Sequence, residues 1–581
     1  GDLLLKLEAW EEAVKSYRSA IELNPEFAWS ENNLGLALFR LEKWEEAVAA
    51  YQRAIELNSE EAWFYQNLGE ALLKLKKSSE AVAAYRRAVE LQPENVLLLE
   101  TLGELLQQQG EIEEAKVVYQ NAIALKPNDY WFHEKLGRIL MQQQQWEEAT
   151  SLCIQALKIK PDFSEAYSNI AFILEQEGQG FDAGACYLNR TLPLSLIQKY
   201  CHLTGEQQVT SESDPSITHI NIYPETEIKL LPSITLNNNK GLSHPQLYST
   251  TALLGVGPEG QIRWNLHSNT FSPQAFVAVL AEGHAWGDTV TSAIITSDGK
   301  LVTNISTQGN AELVLSSDQL PPPEYLDGIV TFLSVKWGGS GYFHWIFDVI
   351  VRIALLESCG FRLDQIDKFV VNSYSRPYEI ETLTTLGIPP TKIIESRQQP
   401  HIQAKTLVVP SLPYQGSYKV SAWARDFLRN RFLTEQESQK AERPKRIYIS
   451  RKPPFFRRIL NEEVVFSFLE TLGFHQVVLE LMSVAEQATC LAAAEVIVAP
   501  HGGGLTNLVF CQPGTKVIEI FSPWYLPGEY WVLSNGCNLE HYSLIGEVWN
   551  EDLVLDPGGQ DILVNLEQLA QLMKIAGVVH E

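Results

Sequence analysis

The chain is short of paired cysteines, of basic residues and of long apolar runs, and each shortage argues against a class of protein. Its seven cysteines, at 153, 186, 201, 359, 490, 511 and 537, are odd in number and include no C-x-x-C pair. That argues against a zinc ribbon or a disulfide framework and points to reduced thiols in a cytosolic protein. Lys and Arg number 45 against 71 Asp and Glu, a net charge of −26. A general nucleic-acid binder needs a basic face, so none is expected, and any local basic cluster gains meaning. No run of about 18 apolar residues occurs, so no membrane span is expected. No signal peptide is read. The start at Gly1, inside a repeat unit, leads to the expectation that residues upstream are missing.

What is present is a 45% apolar chain of 581 residues, enough for several cores. At roughly 150 residues per domain, three or four units are expected. The first third is periodic. W-E-E-A occurs at Trp10, Trp44 and Trp146, and Ser78–Ala81 and Ile112–Ala115 fill the same slot, 34 residues apart. Gly35, Gly69, Gly103 and Gly137 share the period, as do Tyr17, Tyr51, Tyr85 and Tyr119 and the alanines at 20, 54, 88, 122 and 156. Prolines at 25, 93, 127 and 161 close the units. Glycine permits close helix approach and proline ends a helix, so each unit reads as helix–turn–helix. The array resembles the tetratricopeptide repeat. Full units are expected at 28–61, 62–95, 96–129 and 130–163, with a weaker one at 164–197 where Ala171 replaces the glycine. The Trp and Tyr recurrences read as core. A concave groove would carry Asn32, Asn33, Gln66, Asn67, Glu100, Glu134 and Asn169 and suit an extended peptide. A solvated spacer or a dimerisation arm is the alternative.

The stretch 201–215 is polar and aperiodic and reads as a linker after an array at 1–200. Residues 216–320 read as a β-rich leader, with Asp298-Gly299 as a hairpin turn. His219, His244, His267 and His284 are too scattered for ligands. From 325 onward strands and helices alternate. One α/β unit, with the leader, spans 216–440, and a second spans 441–581 with strands at 446–451, 475–480, 495–500 and 516–521. Two Rossmann-like halves would leave a cleft between them.

Four constellations stand out. His501-Gly502-Gly503-Gly504 follows one strand and opens a helix. No G-x-S-x-G follows it, which argues against a lipase-type oxyanion loop. It reads as a diphosphate cradle or as a tight turn with no ligand. Arg451, Lys452, Arg457 and Arg458 follow another strand at the same sheet edge, placed for bidentate phosphate contact. His344 and Asp348 are four apart on one helix expected from Tyr342 to Cys359, either as an acid/base set or as a pair that satisfy each other. Glu519, in the last strand, either holds ribose hydroxyls or is simply exposed.

GYFHWIFDVIVRI (341–353), YISRKPPFFRRILNEEV (448–464) and APHGGGLTNLVFCQPGTKVIEIF (499–521) together resemble glycosyltransferase family 61, over about 250–545. The resemblance implies an all-α repeat solenoid followed by an α/β GT-B-like pair of Rossmann-like units. It also implies a nucleotide-sugar donor and an inverting transfer to a glycan or protein hydroxyl. The third position of the family's H-G-A-G is Gly503 here, and its paired arginines appear as Arg451-Lys452. On that footing the donor diphosphate rests on Arg451, Arg458 and the amides of Gly502, Gly503 and Gly504, with His501 in the same loop. Asp348 is the base with His344 positioning it or binding acceptor, or the reverse. Asn507 serves loop structure or the donor, and Glu519 the ribose. No D-x-D pair sits in a suitable loop, so no metal is expected and no cofactor beyond a UDP-linked sugar. The expected place is the cytoplasm, peripheral to a membrane glycan-assembly complex. The alternative function is an interaction scaffold with a degenerate transferase domain. The O-linked N-acetylglucosamine transferases are similar in architecture only.

Overall fold

The computed structural model describes residues 1–201, 208–223, 226–227, 234–236, 252–256, 262–266, 271–272, 274–307, 310–317, 320–339, 341–413, 420–433, 443–451, 457–523, 525–547 and 561–579. The chain divides into two compact units. One is Gly1–Arg190 with Ser317–Gln319, and the other is Thr191–Ser316 with Leu320–Glu581. The division therefore falls between Arg190 and Thr191 rather than in the stretch 201–215. Ordered chain at the end of that stretch joins the second unit: Gln208–Val209 pairs with Leu301–Val302.

The first unit is the expected helical array. Its helix pairs are Ala28–Arg40 with Trp44–Leu57, Ala62–Lys74 with Ser78–Leu91, Val96–Gln109 with Ile112–Leu125, and Tyr130–Gln142 with Trp146–Ile159. Ser164–Gln176 and Gly180–Asn189 make a fifth pair. The repeated glycine has a specific partner. A Cβ at Gly35, Gly69 or Gly103 would lie 2.6–2.7 Å from the ring of the tyrosine sixteen residues on. The tyrosine's ring therefore occupies the space that a side chain would take, and the two recurrences are one contact. At Gly137 the facing residue is Cys153, whose Sγ would be 3.3 Å away. Where Ala171 replaces the glycine, Tyr187 turns outward and is 53% exposed. The turn between the two helices takes one left-handed residue per unit, at Glu8, Glu42, Lys76, Gly110, Gln144 and Gly178.

The second unit holds two sheets. The first is mixed: Glu324–Phe332, Lys368–Val371, Ile393–Glu395 and His401–Pro410 run parallel. The leader strand Ala275–Gly287 pairs antiparallel with His401–Pro410 and extends the sheet to Ser292–Ile295 and Leu301–Val302. The leader is thus an edge of this sheet. The hairpin at Asp298-Gly299 is present, with Gly299 at φ 85°.

The second sheet is parallel throughout. Its order is His475–Val477, Arg446–Ile449, Val496–Pro500, Lys516–Phe521, Glu540–Ile545, Ile234–Leu236. The last strand comes from the leader, so the second half is not confined to 441–581. Alternate residues face two cores. Ile447, Ile497, Ala499 and Val517 face the core shared with the first sheet. Tyr448, Val496, Val498, Ile518 and Ile520 face the helices Glu462–Thr471 and Leu566–Ile575. All these strands point the same way, but the order in which the chain adds them reverses between Arg446–Ile449 and Val496–Pro500, and ligands of such sheets bind at the carboxyl ends of the strands at that point.

Polar contacts join the two sheets' elements. The Glu381 carboxylate accepts from the Val484 and Ala485 amides, at 2.8 and 3.2 Å, at the start of the helix Val484–Ala493. A carboxylate there satisfies unpaired amides and complements the helix dipole. Arg429 donates to the Val509 and Cys511 carbonyls, at 3.1 and 2.9 Å, closing the end of the 3-10 helix Gly503–Phe510.

Gly69→Ala should cost about 1–3 kcal/mol by overpacking Tyr85. Gly137→Ala, facing the smaller Cys153, should be neutral or stabilising, because alanine favours helix by up to ~1 kcal/mol. Thermal loss of helical circular dichroism compares the two, and equal effects would contradict the glycine–tyrosine account.

Candidate active site

The glycine loop is set by a buried carboxylate. Glu519 lies inside the strand Lys516–Phe521 and is fully buried, so neither the exposed position nor the ribose contact expected for it holds. In a parallel strand covered on both faces, a charged residue must find partners within the core. Glu519 Oε1 is 2.5 Å from His501 Nδ1, and Oε2 is 3.1 Å from His541 Nε2. Burial by itself raises this carboxyl. Interactions with His501 and then His541 outweigh it and hold the group below its ordinary value, so it is ionised. An ionised carboxylate only accepts, so His501 donates to Oε1, while His541 Nε2 meets Oε2 as a close polar contact without hydrogen-bond alignment. His541 Nδ1 lies 2.9 Å from the Ser534 hydroxyl. His501 also stacks on Phe521 at 5.3 Å and touches Tyr530 at 5.2 Å between ring centres. Its Nε2 is 3.5 Å from Glu529, a carboxyl that burial pushes up.

With its ring held inward, His501 turns its backbone toward Arg451. Arg451 Nη1 donates to the His501 carbonyl at 2.7 Å. A Cβ at Gly502 would overlap this guanidinium, so glycine is required for the two to lie together. At Gly503 the nearest atom to a Cβ would be 3.8 Å away, so an alanine fits there. Gly504 is tighter, at 3.1 Å from Leu479. Burial, then the charge of Arg457, lowers Arg451 to about 10, still cationic at neutral pH. Arg457 lies 5.1 Å over the Tyr525 ring, and among the described residues its Nε has no hydrogen-bond partner. Two guanidinium groups thus converge beside the loop where the strand order of the sheet reverses.

Other expected residues fall differently. Arg458 is engaged by Asp561, with Nε at 3.1 Å and Nη2 at 2.5 Å from the same oxygen, so its guanidinium is committed to a carboxylate. Asn507 is fully buried. It accepts from the Tyr342 hydroxyl at 3.0 Å and donates to Gln487 at 2.7 Å. Of its two expected roles this is the structural one, and it ties the glycine loop to the first half. Lys452, His244 and His267 lie outside the described residues.

His344 and Asp348 meet, Nδ1 to Oδ2 at 2.8 Å. The helix expected across 342–359 is interrupted here: Trp345–Ile350 is π-helical between α-helical turns, with the Val351 amide bonded to Ile346. Such segments recur at functional sites. Asp348 is buried, whereas His344 keeps 23% of its side chain exposed. One turn on, Arg352 is buried and donates to the carbonyls of Leu333, Phe332 and Pro410. Burial lowers it to about 9, and Asp348 opposes that shift. The sequence reading passes over Arg352, which packs one turn from the dyad. The dyad lies near the glycine loop, because the neighbouring Phe343 ring is 5.8 Å from Tyr530, which touches His501.

Glu519→Gln should destabilise the protein by ~3–5 kcal/mol, since it strips a buried pair of one partner. The stabilisation from Glu519 is complete above the ordinary carboxylate value of about 4.3 and is lost as pH falls through the lower folded value. Thermal unfolding from pH 7 to 3 should show wild type and Glu519→Gln converging in acid. A constant difference would contradict the assignment.

Comparison with known proteins agrees with this division. The Glycosyltransferase 61 profile matches residues 342–518. Tetratricopeptide profiles match 1–42, 35–76, 62–95 and 106–171. Beta-1,2-xylosyltransferase RCN11 of Oryza sativa subsp. japonica is 36% identical over 63 residues, 11% of this chain and 12% of that protein. Beta-1,2-xylosyltransferase XYXT1 of the same organism is 27% identical over 132 residues, 22% of this chain and 28% of that protein. The matches thus span a minor part of each relative. Among solved structures, MamA is 20% identical over 28% of this chain and 94% of its own, with a TM-score of 0.26. YrrB, a TPR protein with an unusual peptide-binding site, is 24% identical over 32% of this chain and 92% of its own, with a TM-score of 0.27. Among the described residues no helix is long and apolar enough to cross a membrane. The chain joins a tetratricopeptide repeat region to a Glycosyltransferase 61 domain at residues 342–518.

Proposed function

We propose that the second unit is an inverting transferase that takes its sugar from a nucleoside diphosphate, UDP in the first instance. The observation that carries this is the placement of Arg451 across His501 and Gly502, at the carboxyl ends of the two strands where the strand order of the parallel sheet reverses. Arg451, Arg457 and the amides opening Gly503–Phe510 supply the charge that a departing diphosphate needs. They take the place of a metal ion. The two sheets, with the loop of one beside the dyad of the other, support a GT-B-like reading.

Burial favours the reverse of the expected acid/base order. His344 is the base and Asp348 orients it through Nδ1. The acceptor hydroxyl loses its proton to His344 as its oxygen bonds the anomeric carbon from the face opposite the diphosphate. The bond from that carbon to phosphate oxygen breaks, and the electron pair leaves with the nucleotide. The acceptor is a glycan or protein hydroxyl, presented with help from the repeats. Among the described residues Cys153, Cys359, Cys490, Cys511 and Cys537 are free thiols, which supports a reducing, cytoplasmic setting.

Titration calorimetry with nucleoside diphosphates and their sugars, in EDTA, tests this reading. Wild type should bind one nucleotide saturably. Arg451→Ala should lose transfer about 100-fold or more. Gly502→Ala should lose nucleotide binding by displacing Arg451, and Gly503→Ala should keep it. His344→Ala should bind nucleotide without transferring sugar. Near-normal turnover in Arg451→Ala would remove the arginine from the mechanism, and no nucleotide binding at all would favour the scaffold.

A further inference from the structure

The repeat region contains a recess that its own repeat pattern does not explain. It has a volume of about 560 Å³ and is lined by Arg138, Gln142, Gln144, Trp146, Phe172 and Gln176, among others. That volume is in the range of small-molecule sites. Phe172 is 42% exposed. Its slot in the four preceding units, at intervals of 34, holds Arg138, Glu104, Glu70 and Leu36, so the fold needs no aromatic ring there. The Phe172 and Trp146 rings lie 6.3 Å apart at 61°, making two walls of a corner. Gln142 and Gln176 occupy equivalent slots one repeat apart, and Gln144 holds the left-handed turn position between two helices. The one charge among these six, Arg138, is 3.8 Å from Glu134.

We propose that this recess binds a neutral saccharide. A pyranose ring has an apolar C–H face that covers an exposed aromatic ring, and hydroxyls that both donate and accept. Side-chain amides also do both, and they carry no charge. An extended polypeptide is served less well. The Asn and Glu side chains that would bond its backbone along the array bond each other instead, Asn67 to Asn32 at 2.8 Å and Asn169 to Glu134 at 3.1 Å. Of the residues expected along the groove, Asn32, Asn67 and Glu134 are buried, whereas Asn33, Gln66, Glu100 and Asn169 are partly exposed. The recess names the acceptor class of the proposed transferase as a glycan. That purpose rests on the transferase reading, but the binding itself is measured with no donor present.

The test titrates the full chain with neutral oligosaccharides of two to six units, and with unstructured peptides, in wild type, Phe172→Glu, Gln142→Ala and Arg451→Ala. Phe172→Glu should fold, because Glu70 and Glu104 occupy the same slot, and circular dichroism checks it. The expected result is saturable binding of an oligosaccharide, weakened about tenfold by Phe172→Glu, weakened by Gln142→Ala and unchanged by Arg451→Ala. Three results would overturn the proposal: no oligosaccharide bound, binding lost in Arg451→Ala but kept in Phe172→Glu, or peptide binding that Phe172→Glu removes. Failure here leaves nucleotide binding by the second unit untouched, so the two readings are tested separately.

Discussion

The Glu519 carboxylate, buried between His501 and His541, is the interaction on which the candidate site depends. A lone ionised carboxylate at that depth would cost several kcal/mol. The two histidines offset that cost, and in doing so they fix geometry. His541 comes from the next strand, Glu540–Ile545, and His501 from the loop after Val496–Pro500. The carboxylate therefore ties three adjacent strands at one depth. With the His501 ring committed inward, its carbonyl faces Arg451 and holds the arginine at the sheet edge. Buried ion pairs contribute little net stability, but they can specify one arrangement. Here that arrangement is a glycine loop with a guanidinium laid along it.

The same economy appears on the facing half. Asp348 is buried beside Arg352, and Arg352 gives its donors to carbonyls around the carboxyl ends of Glu324–Phe332 and His401–Pro410. The charge at the core side of the helix is thereby balanced, and His344 is left as the partly exposed member of its pair. Tyr342, two residues earlier, reaches Asn507 in the opposite loop. His344 and the arginines beside the glycine loop are thus supported from the same contact region of two sheets.

Much of this was legible in the sequence, and the rest was hidden for physical reasons. A period of 34 is local and redundant, so the array could be read residue by residue, down to the glycine and tyrosine slots. The strand-then-glycine pattern before Gly502 and the arginine after Ser450 could be read because both follow β-branched runs at one sheet edge. Pairings over long separations could not. Nothing near Arg458 announces Asp561, 103 residues on. Glu519 gave a partial signal: a carboxylate in a strand covered on both faces must be partnered, but Glu519's two histidines come from other elements. The leader strand Ile234–Leu236 crosses to the far sheet, and no periodicity records such a crossing. The π-helical turn before Arg352 likewise leaves no mark in an apolar run that suits an α-helix equally well.

The central proposal is an anion bound where the strand order of the parallel sheet reverses, held by Arg451 and the glycine loop. The most direct measurement is a crystal structure of the full chain with a nucleoside diphosphate bound. The account predicts phosphate oxygens within hydrogen-bond distance of the Arg451 guanidinium and of the amides at Gly502–Gly504, with the Glu519 carboxylate unmoved between its two histidines. A nucleotide bound elsewhere, with Arg451 still closed onto His501 and no ligand at the loop, would contradict it.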